Sequence, residues 1–202
     1  MLSYKHGYHA GNEADVLKHI CIIQAYKILK KHYNSITYID THSGSGKYNF
    51  DSDYMSKNRE FQRGISKIEN YKLYNKSINY YLKVLRNINN SKKLIFYPGS
   101  PLIICNLADN LDKLLFYELH NNEFRLLRKN LSKYINSRVF NKNGFEFLND
   151  KINTNHKLLV LIDPSYEIKE DFDKVINILK TLDIGYNNVT AIIWYPVLNI
   201  EK

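Results

Sequence analysis

The stretch Leu158-Leu159-Val160-Leu161-Ile162-Asp163-Pro164-Ser165-Tyr166 decides the fold class of this chain of 202 residues. Its five consecutive apolar residues are typical of a strand that is buried on both faces, as the strands of parallel sheets are. The strand ends in a carboxylate, a rigid turn and an aromatic ring. Because ligands of open α/β sheets bind at the carboxyl ends of the strands, this turn is the first candidate site in the sequence. An ordinary proline-containing turn is the alternative.

Strands and helices alternate along most of the remaining chain, which favours a parallel, doubly wound α/β sheet. Apolar patterning predicts further strands at residues 35–40, 114–118, 138–140 and 189–195. Helical spacing predicts helices at residues 12–32, 121–132, 145–148 and 169–182. Segment 47–97 breaks this alternation. The sequence therefore predicts a Rossmann-like sheet with helices on both faces and a helical insertion after the first strand.

A glycine loop follows the first predicted strand, which ends at Asp40. Gly44 and Gly46 lie in this loop, where a backbone without side chains can approach a cofactor closely. The third glycine of the dinucleotide fingerprint is absent, which disfavours a nicotinamide-dependent oxidoreductase.

Glu118 ends the second strand, where an acidic residue accepts hydrogen bonds from ribose hydroxyls. It lies 72 residues after Gly46, and 21 residues after it when the 51 residues of segment 47–97 are left out. A plain turn and a surface glutamate remain alternatives.

Segment 47–97 carries most of the positive charge of the chain. It contains 11 of the 29 basic residues and four of the 20 acidic residues, so it contributes +7 to the net charge of +9. It also holds seven of the 17 tyrosines. Basic side chains bind phosphates and aromatic rings stack on unpaired bases, so we expect this subdomain to contact nucleic acid. A solvated helical hairpin, and a coding bias towards lysine, are the alternatives.

The composition excludes several classes of protein. The two cysteines, Cys21 and Cys105, have neither the spacing of metal ligands nor the number for a disulfide framework. No apolar run reaches the length of a membrane span, and the first residues lack the apolar core of a signal peptide. We therefore expect a cytoplasmic monomer that binds no metal and no membrane.

The N-terminal residues carry a specific family resemblance. The stretch YKHGYHAGNEADVLKH at residues 4–19 resembles the opening of the bacterial large-subunit (23S) ribosomal RNA adenine-N6 methyltransferases, which use S-adenosylmethionine. Further blocks resemble that family in the same order, at residues 40–46, 97–101, 118–120, 163–167 and 194–197. Asp-Pro-Ser-Tyr at 163–166 also differs by one residue from Asp-Pro-Pro-Tyr, a signature of enzymes that methylate an exocyclic amine of a base.

The resemblance implies roles for individual residues in methyl transfer to an adenosine of 23S ribosomal RNA, either protein-free or in an early assembly intermediate. It implies that Asp163 and the Pro164 carbonyl hold the amine hydrogens, and that Tyr166 stacks on the extruded base. Tyr4 and His6 would lie at the mouth of the site. The residues expected to bind S-adenosylmethionine, including Gly44 of the glycine loop, are His19, His42, Gly44, Ser100, Glu118, Asn143, Gly144 and Asp163. The methyltransferase domain would comprise residues 1–46 and 98–202.

Three departures from the family pattern leave other functions open. Ser165 replaces the second proline of the family, and Asn143 replaces an aspartate. The chain also ends at Lys202, so the final strands of the family sheet are expected to be missing. One alternative is a catalytically inactive relative that binds S-adenosylmethionine or RNA. Another is a DNA adenine-N6 methyltransferase, since the chemistry of the Asp-Pro-x-Tyr turn is shared.

Overall fold

Seven strands and seven α-helices make up the computed structural model, which describes residues 5–70, 75–150, 152 and 156–196. The strands are β1 (Ile36–Asp40), β2 (Lys47–Asn49), β3 (Phe96–Pro98), β4 (Lys113–Tyr117), β5 (Ser137–Phe140), β6 (Lys157–Ile162) and β7 (Val189–Ile193). The helices are α1 (Glu13–Lys30), α2 (Asp53–Asn58), α3 (Ile65–Asn70), α4 (Lys76–Asn89), α5 (Ser100–Leu107), α6 (Asn121–Asn130) and α7 (Glu170–Gly185). Short 3₁₀ helices lie at His6–Tyr8, Glu60–Gln62 and Gly144–Asn149.

Five parallel strands form the central sheet, in the order β5-β4-β1-β6-β7. The chain moves outward in one direction from β1 to β5 and then returns to the other side of β1 with β6. Such a reversal of strand order creates a crevice beyond the carboxyl ends of the two strands that flank it. Here those strands are β1 and β6, which end next to Asp40 and Asp163. The fold therefore brings the two predicted strand-end carboxylates to the same edge.

Both faces of the two central strands are covered, since every residue of β1 and β6 is buried. Tyr38 points into one apolar layer, where it packs with Ile22 of α1 and Leu102 of α5. Its neighbour Ile39 points into the opposite layer, with Val175 of α7. The apolar run that begins at Leu158 is thus the signature of a doubly covered strand. This confirms the predicted α/β class and the helices on both faces.

The segment between β1 and β4 has an apolar cluster of its own. Ile65 of α3, Tyr81 and Leu85 of α4 pack there with Ile23 of α1 and Ile103 of α5. The short antiparallel pair of β2 and β3 closes the two ends of the segment. The predicted insertion after β1 is therefore built mainly of helices, with two short strands at its ends that the sequence patterning did not predict. Its treatment as a separate subdomain remains a proposal.

Most element bounds fall within a few residues of the predicted ones. The first helix begins after Asn12, whose side chain accepts a hydrogen bond from the Asp15 backbone N–H at 2.9 Å. The helix predicted at 145–148 is a 3₁₀ helix, and α5 was not predicted at all. None of the helices in the part of the chain that the structure describes has the length and apolar character needed to cross a membrane.

Candidate functional site

A cleft opens at the carboxyl ends of the central strands, with an empty volume of about 1060 Å³ when its open mouth is included. Ten of the residues predicted from the sequence line this cleft: His6, His19, His42, Gly44, Ser100, Glu118, Asn143, Gly144, Asp163 and Pro164. The sheet thus gathers side chains that lie far apart in the sequence.

One predicted catalytic residue that the structure describes does not line the cleft. Tyr166 is not among the lining residues, and its ring packs against Phe172 of α7 with 4.5 Å between ring centres. Its backbone has a φ of 53°, the left-handed region, which turns the chain away from the end of β6. Stacking of Tyr166 on a base therefore remains a prediction. Tyr4 lies outside the described residues.

Lys18, to which the sequence analysis assigns no role, holds the carboxylate at the end of β6. Its ammonium lies 2.5 Å from Asp163 Oδ2 and 2.8 Å from Asp15 Oδ1, and its side chain is only 4% exposed. Within the described residues, Asp163 Oδ1 has no hydrogen-bond partner. Lys18 therefore occupies one oxygen of Asp163 and leaves the other for a ligand in the cleft.

The charges of this cluster are set by burial and by their neighbours. Burial raises the pKa of Asp163, although Lys18 counteracts it. Burial acts in the same direction on Asp15, but His6 and Lys18 outweigh it and hold the pKa of Asp15 well below its ordinary value. Burial opposes the charge of Lys18, yet the two carboxylates raise its pKa well above the usual range. Lys18 is therefore protonated and lies between two carboxylates.

Glu118 fixes the glycine loop. Its carboxylate accepts hydrogen bonds from the backbone N–H of Gly44 at 2.8 Å and from that of His120 at 2.7 Å. Gly44 has a φ of +59°, and a β-carbon there would collide with the hydroxyl of Tyr48. The conformation and the close approach both require glycine. Glu118 is 8% exposed, and burial raises its pKa.

Asp40 lies beneath the cleft as a buried carboxylate that is only half satisfied. Its Oδ2 accepts hydrogen bonds from Ser100 at 2.7 Å and from the Tyr38 hydroxyl at 3.2 Å. Its Oδ1 is buried and has no partner in the described part of the protein. Burial raises the pKa of Asp40 to about 6. Because a buried unpaired carboxylate oxygen is costly, this atom marks a place for a hydrogen-bond donor or a cationic group.

The wall of the cleft includes the start of the 3₁₀ helix that begins at Gly144. A β-carbon on Gly144 would overlap the carbonyl oxygen of Thr41, so the two backbones touch directly. The Asn143 side chain caps this helix by accepting a hydrogen bond from the Phe145 N–H at 3.1 Å. The ring of Phe145 lies edge-on to His42, with 4.8 Å between ring centres. Together, His42, Gly144 and Phe145 form a narrow slot with partly aromatic walls.

The buried His19 and the half-buried His42 are neutral bases in the cleft. Burial lowers the pKa of both His19 and His42 to about 3. His19 stacks on Tyr97 and takes part in a 2.8 Å hydrogen bond with its hydroxyl. Among residues 5–70, 75–150, 152 and 156–196, no group of three His, Cys, Asp or Glu side chains is arranged to hold a metal ion.

Comparison with known proteins assigns the chain to a family. Residues 33–202 match the family model described as ribosomal RNA large subunit methyltransferase D, RlmJ. The chain belongs to this family. Two curated relatives are both called ribosomal RNA large subunit methyltransferase J. The one from Haemophilus influenzae is 39% identical and the one from Escherichia coli 37% identical, each over 98% of this chain and 71% of the relative.

A solved structure agrees with this assignment to the methyltransferase family. A crystal structure of a Legionella pneumophila protein superposes with a TM-score of 0.80 and 32% identity, over 95% of this chain and 71% of that one. The Rossmann-like methyltransferase fold predicted from the sequence is therefore confirmed, and so is the predicted family. The match to the relatives runs through the insertion as well as the sheet, since it covers 98% of the chain.

Sequence reasoning missed three charged side chains in or behind the cleft. Asp15 and Lys18 lie in the family block at residues 4–19, and the sequence analysis assigns no individual role to either. Both are buried on the side of α1 that faces the end of β6. The available signal was their spacing, since residues three apart lie on one face of a helix. Lys174 of α7, which also lines the cleft, carried no comparable signal.

Proposed function

We propose that this protein transfers a methyl group from S-adenosylmethionine to the N6 amine of an adenosine in 23S ribosomal RNA. The observation that carries the proposal is the end of β6, where Asp163 lines the cleft beside Pro164 and where its hydrogen bonds within the described residues leave Oδ1 available. The family name supports ribosomal RNA as the substrate. The two acceptors at the end of β6, the Asp163 carboxylate and the Pro164 carbonyl, support an exocyclic amine as the methylated group, because such an amine has two hydrogens to donate.

The cleft suits the charge and shape of S-adenosylmethionine, which would supply an electrophilic methyl group on a cationic sulfur. The narrow slot beside His42, Asn143 and Gly144 would hold its adenine. Glu118, at the end of β4, would accept hydrogen bonds from its ribose, as acidic residues at this position of a Rossmann-like sheet do. Ser100, which lines the cleft, would face its cationic amino-acid end, with the buried Asp40 carboxylate behind the Ser100 hydroxyl.

The residues at the end of β6 would orient and activate the amine. An amine conjugated to a purine ring is a poor nucleophile because its lone pair lies in the π system. Hydrogen bonds from its two hydrogens to Asp163 Oδ1 and to the Pro164 carbonyl would turn the lone pair towards the methyl donor. S-adenosylmethionine would supply the methyl group, with its sulfur leaving as a neutral thioether. Asp163, whose pKa is raised by burial, would take the proton that the methylated nitrogen must lose.

The direct test is methyl transfer from labelled S-adenosylmethionine to protein-free 23S ribosomal RNA, with duplex DNA as the competing substrate. We expect label in N6-methyladenosine of the RNA and none in DNA. Preferential labelling of DNA would replace the proposal with a DNA adenine methyltransferase. Tight binding of S-adenosylmethionine by a folded chain that labels neither substrate would identify an inactive relative.

The affinity for S-adenosylmethionine is expected to depend on the ionisation of Asp40. Its pKa of about 6 means that the free protein carries a protonated Asp40 below that pH. A cationic ligand needs the carboxylate, so the dissociation constant should rise by about tenfold for each pH unit below 6. Calorimetric titration between pH 5 and 8 measures this slope. The Asp40→Asn variant should bind more weakly at pH 8 and show a flatter profile; an unchanged profile would assign the pH dependence to another group.

The insertion offers a surface for the RNA backbone next to the cleft. Lys57, Arg59 and Arg63, here called the basic groove, are exposed along an open groove between α2 and α3. The acidic residue of this groove, Glu60, is bonded to His9 and Asn12. Arg63 makes a 3.8 Å ion pair with Glu13, but both side chains are highly exposed and such a pair is worth little. The groove is therefore positive.

The basic groove is connected to the cleft through the N-terminal 3₁₀ helix. Lys57 lies 5.8 Å from the ring centre of Tyr8, and Lys5 donates a 2.9 Å hydrogen bond to the hydroxyl of Tyr54. His6, on the same 3₁₀ helix, lines the cleft. An RNA strand bound in the groove would thus lie next to the 3₁₀ helix that carries His6 of the cleft wall.

Reversing the three charges of the basic groove should weaken RNA binding and its dependence on salt. For the variant Lys57→Glu, Arg59→Glu and Arg63→Glu, the slope of log affinity against log salt should become shallower by about two, since each phosphate contact to single-stranded RNA contributes ~0.7. Fluorescence anisotropy with a labelled 23S fragment measures the slope. Lys113→Glu, Lys129→Glu and Lys133→Glu, three exposed lysines outside the insertion, form the matched control. Equal slopes for both variants would place the RNA path elsewhere.

A further inference from the structure

Asp15 is a buried carboxylate that joins the start of the chain to the end of β6. It is 2% exposed, and it does not line the cleft. Its Oδ1 lies 2.8 Å from the Lys18 ammonium. Its Oδ2 lies 2.9 Å from His6 Nε2 and accepts a 3.0 Å hydrogen bond from the Gly11 N–H. One side chain therefore contacts two residues of the cleft wall without facing the cleft itself.

We propose that Asp15 is a positioning residue for methyl transfer, which holds Lys18 against Asp163 and fixes the ring of His6 at the wall of the cleft. The proposal rests on the proposed function, because the step that Asp15 serves is the activation of the amine by Asp163. It goes beyond that function by assigning a role in the reaction to a residue that cannot touch the substrate.

The role of Asp15 towards Lys18 follows from how one ammonium is shared. Lys18 is bound by two carboxylates, so each takes part of its charge and of its hydrogen-bonding capacity. Without Asp15, the whole charge of Lys18 would fall on Asp163. A more strongly paired carboxylate accepts hydrogen bonds and protons less readily. Asp15 therefore keeps Asp163 basic enough to hold the amine and to take its proton.

The role of Asp15 towards His6 is geometric. The His6 ring is held on one side by Asp15 Oδ2 and lies edge-on to Tyr48, with 5.3 Å between ring centres. These contacts fix the orientation of a ring whose side chain is 19% exposed. A ring held in this way adds no ordering cost when a base enters the cleft. Losing Asp15 would remove one of the contacts that orient it.

Asp15→Asn tests the proposal because it removes the charge but keeps an acceptor for the Gly11 N–H. At saturating RNA and S-adenosylmethionine, kcat should fall by about 10- to 100-fold, since hydrogen bonds to charged groups have this worth. The dissociation constant for S-adenosylmethionine should stay within about twofold, since Asp15 lies outside the cleft. Glu13→Gln, which neutralises the exposed acid of the same helical turn, is the control and should leave both quantities unchanged.

A double-mutant cycle distinguishes positioning from a general structural role. If Asp15 acts through Lys18, Asp15→Asn should cost much less in a Lys18→Gln background than in the unchanged protein. Additive losses, or a loss of cofactor affinity as large as the loss of kcat, would overturn the proposal. If Asp15→Asn does not fold, Asp15→Glu, which keeps the charge, serves in its place, and full kcat in Asp15→Glu would contradict a positional requirement.

One readout does not depend on methyl transfer. A lysine ammonium held by two buried carboxylates exchanges its protons slowly enough to be seen by nuclear magnetic resonance. We expect this signal of Lys18 in the unchanged protein and in Glu13→Gln, and its loss in Asp15→Asn. If the unchanged protein methylates no RNA, the proposed function fails, while persistence of the signal in Asp15→Asn would separately refute the positioning role of Asp15.

Discussion

Replacing Asp163 with alanine is expected to lower the rate of methyl transfer by about 10³-fold, while the affinity for S-adenosylmethionine changes by less than about fivefold. The carboxylate is the group that would hold the amine during the transfer and take its proton afterwards. Neither interaction exists before the RNA is bound, so the loss should fall on kcat. Single-turnover assays with saturating RNA, together with calorimetry for the cofactor, separate the two quantities.

The folded state of the variant needs its own control, because the change leaves Lys18 with one carboxylate instead of two. That lysine remains paired to Asp15, so the ammonium is not left isolated. Asp183→Ala, an exposed aspartate near the end of α7, removes a carboxylate without touching the cleft and should keep full activity. Unchanged turnover in Asp163→Ala would end the proposed mechanism, whereas a lost cofactor site would move Asp163 into a binding role.

The strands that frame the cleft could be predicted because a strand that is buried on both faces consists almost entirely of apolar residues. β1 and β6 are covered on both faces, so their residues are almost continuously apolar and their ends stand out as Asp40 and Asp163. The reversal of strand order then brings these ends together. The same reasoning failed for α5, whose residues are mostly apolar and buried. A short apolar run without periodicity does not distinguish a helix from a strand.

The charged cluster behind Asp163 could not be predicted from local patterns. Asp15 and Lys18 look like ordinary polar residues of an amphipathic helix, and their burial arises from the helix crossing the end of β6. Tyr166 also shows the effect of tertiary placement. Its ring packs against Phe172, at a residue with a left-handed backbone, and its stacking on a base stays a prediction.

Ser165 bears on how this turn works. It lines the cleft at a position where the family carries a second proline, and a serine fixes its backbone less firmly than a proline does. The Pro164 carbonyl, which is the proposed second acceptor, belongs to the proline that this chain keeps. The proposed acceptor pair of Asp163 and Pro164 is therefore retained in this chain.

Gly144→Ala is expected to abolish cofactor binding through a single methyl group. The added carbon would overlap the Thr41 carbonyl oxygen, with the Thr41 carbonyl carbon and α-carbon close behind it. These are backbone atoms, so no side chain can rotate away, and the loop after β1 must separate from the 3₁₀ helix. Overpacking of this kind costs about 3 kcal/mol. Because that separation breaks the wall of the adenine slot, affinity for S-adenosylmethionine should fall by at least about 100-fold.

Gly185→Ala provides the matched control for this prediction. Gly185 is the last residue of α7, and a β-carbon there meets no atom within 4 Å. Since alanine favours the helix over glycine, this variant should melt at the same temperature as the unchanged protein or slightly above it, with full cofactor affinity. Thermal melting with and without S-adenosylmethionine compares the two variants. If Gly144→Ala keeps a normal cofactor-induced rise in melting temperature, the contact between Thr41 and Gly144 is not part of the cofactor site, and the adenine must lie elsewhere in the cleft.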